Sequence, residues 1–109
     1  MRLKGKIAIV TGGSDGIGRH ICLKLAAEGC KLAILGRNQE RLDAVVAESL
    51  ALGAAEARAY GMDLTDSDAL DSTAQAILRD FDGVDILINN AGVWHKTGPL
   101  DTIAADILH

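Results

Sequence analysis

The apolar run Ile7-Ala8-Ile9-Val10 leads straight into Thr11-Gly12-Gly13-Ser14-Asp15-Gly16-Ile17-Gly18, and no other stretch constrains the chain as much. A short apolar run of this kind reads as a buried strand, here Lys6 to Thr11. Gly16 to Glu28 reads as a helix, because Ile17, Ile21 and Leu25 recur at four-residue spacing and define an inner face. Between the two lies a bend nearly free of bulky side chains. Gly12 permits a sharp exit from the strand, where a side chain would be strained. Gly18 permits the new helix to lie close against the strand it has just left.

The rest of the chain repeats the alternation. Gly29 ends the first helix. Lys31 to Leu35 is a second buried strand, and Asn38 is placed to cap a helix whose apolar stripe is Leu42, Val45, Val46, Ser49 and Leu50, closed by Gly53. Ala55 to Tyr60 is a weaker strand in which Glu56 and Arg58 alternate with Ala57 and Ala59, a pattern suited to a sheet edge. Thr65 with Asp68 has the spacing of a capping box. The helix behind it gathers Leu70, Ala74, Ile77, Leu78 and Phe81 on one side. After Gly83, Val84 to Ile88 forms a fourth strand that runs into Asn89-Asn90-Ala91-Gly92, and a last helix begins near Asp101 or Thr102. Strands and helices in strict alternation predict an α/β fold, a Rossmann-type doubly wound parallel sheet in the order 3-2-1-4. Residues 1–109 then form a single domain, with the sheet incomplete beside its fourth strand.

In such a sheet the reversal of strand order falls between the first and fourth strands, and ligands bind outside the strand ends at that point. Thr11 to Gly18 and Asn89 to Gly92 flank the predicted crevice. The helix starting near Gly16 directs free N–H groups and its positive dipole end at whatever lies there, which favours an anion. Gly16 removes a Cβ where a pyrophosphate could approach the backbone, and Ser14 belongs to the same phosphate turn. A net charge of −4 argues against a nucleic-acid partner and against adhesion to an anionic membrane. Cys22 and Cys30 lack any metal-ligand or redox spacing and read as small core residues. No metal site is predicted. No run approaches the length of a membrane span, so a cytoplasmic setting is expected.

Four local features taken together resemble the short-chain dehydrogenase/reductase family. They are Thr11-Gly-Gly-Ser-Asp-Gly-Ile-Gly18, Gly36-Arg37 after the second strand, Asp63-Leu64 after the third, and Asn89-Asn90-Ala91-Gly92 after the fourth. The resemblance implies an amino-terminal half that binds NADP or NAD, in an enzyme that moves a hydride between the nicotinamide and an alcohol or carbonyl of a small molecule. It implies Gly12, Ser14, Gly16, Ile17 and Gly18 around the phosphates, and Asp63 with Leu64 at the adenine. Asn90, Ala91 and Gly92 would lie at the ribose and the approach to the nicotinamide. It also implies a homo-oligomer. Arg37 points to NADP rather than NAD, because Gly36 stands where an NAD site places a carboxylate and a guanidinium follows it. Asp15 counts in the other direction, since NADP-preferring relatives often carry a base there.

The family's catalytic groups are a Ser and a Tyr-x-x-x-Lys pair. The one tyrosine, Tyr60, is followed four positions on by Leu64 and reads as a half-buried strand residue; no serine has a catalytic partner. No catalytic residue is therefore assigned, and residues 1–109 alone are expected to show no turnover, as an amino-terminal portion of a longer enzyme would. A nucleotide-binding module without redox turnover, acting as a sensor or partner protein, is the alternative. Trp94 and His95 follow Gly92 at the crevice mouth; Trp94 is equally readable as a ligand contact or as a loop residue covering apolar surface, and His95 reads as a solvated loop histidine.

Overall fold

The computed structural model describes residues 3–13 and 16–90. The elements run β1 (Ile7–Thr11), α1 (Gly16–Ala27), β2 (Lys31–Gly36), α2 (Gln39–Leu52), β3 (Glu56–Gly61), α3 (Ser67–Phe81) and β4 (Ile86–Asn89). The four strands form one sheet in the order β3-β2-β1-β4, and every pairing is parallel. The expected fold class and strand order are both observed. The anticipated helix near Asp101 lies outside the described residues.

Alternate residues of each strand feed two separate cores. Ala8 and Val10 of β1, with Leu32 and Ile34 of β2, meet Cys22 and Ala26 of α1 and Leu42 and Val45 of α2. Ile9, Ala33 and Leu35 point the other way, onto Leu70, Ala74, Ile77 and Phe81 of α3. The central strands are apolar throughout because both faces are covered. β3 lies at one end of the sheet, where its alternating charges placed it. On β4, Ile86 and Ile88 pack toward the first core and Leu87 toward the second.

Three local expectations are corrected. The inner face of α1 is Gly18, Cys22 and Ala26, not Ile17, Ile21 and Leu25. The helix approaches the sheet along its smallest residues; Ile21 and Leu25 pack partly buried at the flank, and Ile17 stands 71% exposed. The cap of α3 is Asp66, whose carboxylate accepts from the N–H groups of Asp68 and Ala69 at 3.1 Å each. Thr65 instead turns back to Asp63. Leu50 and Leu78, assigned to inner stripes, are exposed. Asn38 does cap α2, accepting from the Arg41 N–H at 3.1 Å, and Gly29 and Gly53 end their helices at positive φ.

Candidate functional site

Because all four strands are parallel, Thr11, Gly36, Gly61 and Asn89 share one edge of the sheet. The strand order reverses between β1 and β4, which is where a doubly wound sheet places its ligand crevice.

Its first wall is the glycine bend. Gly12 leaves β1 at φ +65°, and the N–H groups of Gly12 and Gly13 both donate to the Leu35 carbonyl, at 2.8 and 3.3 Å. Gly16 opens α1 at φ +58°, and a Cβ built there would meet only open space. Gly18 faces inward. A Cβ at that position would overlap the Gly12 carbonyl oxygen and stand 2.9 Å from Asn90 Nδ2. The three glycines are thus required for three distinct reasons: a turn, a left-handed start beside free space, and close packing. The first turn of α1 carries no acidic residue, and the first N–H groups of a helix have no partner within it.

The second wall is the end of β4. The Asn90 N–H donates to Thr11 Oγ1 at 3.0 Å, and Asn90 Nδ2 donates to the Gly12 carbonyl at 3.4 Å. The Thr11 hydroxyl, fully buried, lies 3.2 Å from Asn89 Oδ1 and 3.4 Å from the Ile88 carbonyl, either of which can accept its proton. At the far end of β4, Asp85 is joined to Ile7 twice: its N–H donates to the Ile7 carbonyl and its carboxylate accepts from the Ile7 N–H, both at 2.8 Å. β4 is therefore fastened to β1 at both ends.

The third region is the end of β2 and β3. Arg37 follows β2 and Asp63 follows β3, with Arg37 Nη2 4.0 Å from Asp63 Oδ2. The Thr65 hydroxyl and N–H donate to Asp63 Oδ1 at 2.7 and 2.9 Å, and these bonds hold the Asp63 carboxyl below its usual range. Leu64, beside it, is half-buried against the α3 core.

Of the predicted site residues, Gly12, Gly16, Gly18 and Asn90 come together at the β1/β4 reversal, while Arg37 and Asp63 meet at the β2/β3 end. Ile17 projects into solvent from the first turn of α1. Ser14, Ala91, Gly92, Trp94 and His95 lie outside the described residues. Tyr60 donates its hydroxyl to Asp80 at 2.8 Å on the α3 side, and burial together with that carboxylate pushes its phenol above the ordinary value. It is a half-buried strand residue, as its place in the sequence suggested, and the structure adds its tie to α3.

Three residues lay inside the segments read as flanking the crevice but were given no role of their own. Thr11 and Asn89 form the joint of the two walls. Gly13 is buried beneath the bend, where a Cβ would collide with the Ile34 side chain and come within 3.1 Å of Cys22 Sγ. A polar residue ending an apolar run, and the second glycine of a pair, were the available signals. The Cys22 thiol under the bend is itself buried, which pushes it up to about 12 and keeps it protonated.

The description "short chain dehydrogenase" belongs to a family whose model matches residues 6–107 of this chain. The fatty acyl-CoA reductase of Acinetobacter baylyi is 43% identical over 90 residues, covering 83% of this chain and 30% of that protein. A metagenomic short-chain oxidoreductase solved in complex with NADP superposes with a TM-score of 0.80 at 41% identity, over 94% of this chain and 46% of the other. An NAD+-bound xylitol dehydrogenase also superposes with a TM-score of 0.80, at 33% identity, over 99% of this chain and 47% of its own. This chain belongs to the short-chain dehydrogenase family. It spans about a third of the curated relatives it matches, between 27% and 38% of their length.

Proposed function

We infer that this chain is the NADP(H)-binding part of an oxidoreductase acting on an alcohol or carbonyl of a small molecule. The observation that carries the reading is the exposed guanidinium of Arg37 at the end of β2, directly after Gly36, on the sheet edge that also bears the glycine bend. In this reading the bend and the free N–H groups of α1 hold the diphosphate, with Gly12, Ser14, Gly16, Ile17 and Gly18 around it. Asp63 and Leu64 face the adenine, and Asn90, Ala91 and Gly92 line the way to the nicotinamide. Bound there, the cofactor supplies or takes up the hydride. The chain's own residues bind and orient it, and the groups that handle the proton are not among residues 1–109. NAD is the alternative cofactor, favoured by the carboxylate of Asp63 so near Arg37. The reading extends to a cytoplasmic homo-oligomer.

A charge-assisted contact to a 2′-phosphate is worth about 1.5–3 kcal/mol, or roughly 10- to 150-fold in affinity. Calorimetric titration with NADPH and NADH tests the assignment. Arg37→Asp is expected to weaken NADPH by at least that factor and NADH by little. Equal losses for both would remove the NADP assignment, and absence of heat with either cofactor would remove the nucleotide site.

A further inference from the structure

At the ends of β2 and β3 two opposite charges face each other in solvent, and they are not equally free. Asp63 is fixed. Its Oδ1 accepts from the Thr65 N–H and hydroxyl at 2.9 and 2.7 Å, and its backbone carbonyl accepts from the Asp66 N–H at 3.0 Å, in the turn that leads to the cap of α3. That leaves Oδ2 directed at Arg37, 4.0 Å from Nη2. Arg37 reaches from the link between β2 and the Asn38 cap, with its side chain 80% exposed. A short side chain pinned by a turn thus stands opposite a long one that can swing.

We propose that Asp63 sets how strongly this end of the crevice prefers a 2′-phosphate, by holding the Arg37 guanidinium as its counter-ion and opposing a second anion brought to the same cation. The proposal rests on Arg37 being the 2′-phosphate contact, and it goes beyond that reading by assigning a specificity role to the carboxylate opposite. Arginine can share its fork of donors between two acceptors, so the contacts are compatible. The two anions still repel one another, whereas a ribose with free hydroxyls brings no second charge. The hydrogen bonds from Thr65 favour the charged form of Asp63, so the opposition persists at neutral pH. Interactions of this kind between exposed groups change affinity by about two- to five-fold.

The experiment is calorimetric titration of the full chain with NADPH and with NADH, which differ only in the 2′-phosphate. The variants are Asp63→Asn, Arg37→Met and the pair combined. Asparagine retains the Oδ1 acceptor for Thr65, removes the charge and puts an amide NH2 in place of Oδ2. Asp63→Asn is expected to shift the ratio of the two dissociation constants about two- to five-fold toward NADPH. The shift should shrink in the Arg37→Met background and in added salt. Equal changes for both cofactors, a shift toward NADH, or the same shift without Arg37 would each overturn the proposal. If Arg37→Met alone leaves the ratio unchanged, the 2′-phosphate reading fails first and the proposal falls with it. Because the readout is a ratio, any general loss of folded protein or of adenine contact cancels.

Discussion

Where β1 passes into α1, a single added methyl at residue 18 would overlap the Gly12 carbonyl. Where β2 passes toward α2, Arg37 stands 80% exposed with one carboxylate 4.0 Å away. The first region is defined by backbone and packing, and at Gly13 and Gly18 it leaves no room for a side chain. The second is defined by charge in water, where a changed side chain alters an energy and leaves the shape alone. A dinucleotide site needs both. In the proposed reading the shared diphosphate is held by the fixed backbone, while the difference between two cofactors lies in one exposed group.

The contrast can be broken by mutation, and the largest effect belongs to the β1/β4 side. Gly18→Ala should destabilise the chain by about 3 kcal/mol, the upper part of the range for overpacking, because the atoms it meets include backbone. Urea unfolding reads this as a lower midpoint at unchanged slope. A midpoint equal to that of the wild type would mean that the bend yields easily. Thr11→Val comes next. It keeps the shape but strands the Asn90 N–H and the groups around the hydroxyl, for a loss of about 1–3 kcal/mol, and Thr11→Ser should recover most of it. Should valine and serine prove equally stable, the hydrogen-bonded joint contributes nothing. The smallest change is expected across the sheet. Arg37→Met should leave stability within about 0.5 kcal/mol of the wild type while abolishing cofactor discrimination, since exposed ion pairs contribute little. A large loss of stability there would erase the distinction between the two regions.

The strand order, and the elements that carry it, were legible because each is announced locally. Apolar runs bounded by glycines gave the strands, and Asn38, Gly29 and Gly53 marked the helix ends. The inner face of α1 was misread for a physical reason. Periodicity selects large apolar residues, but a helix lying close to a sheet turns its smallest residues inward, here Gly18, Cys22 and Ala26. The cap of α3 was displaced by one position because Asp63 competes for Thr65, a partner two residues away that spacing rules do not weigh. The same limit hid Thr11 and Gly13. Their roles depend on Asn89 and Asn90 in one case and on Ile34 in the other, all remote in sequence. The glycine bend and the place of Arg37 at the end of β2 were legible because each directly follows an apolar run.

The bonds that join Thr11 and Gly12 to Asn90 span 79 and 78 positions of chain. On a translating ribosome, at roughly 5–20 residues per second, the bend therefore emerges about 4–16 seconds before the strand that closes over it. Through that interval the nascent polypeptide exposes the flank of β1 that β4 will later cover.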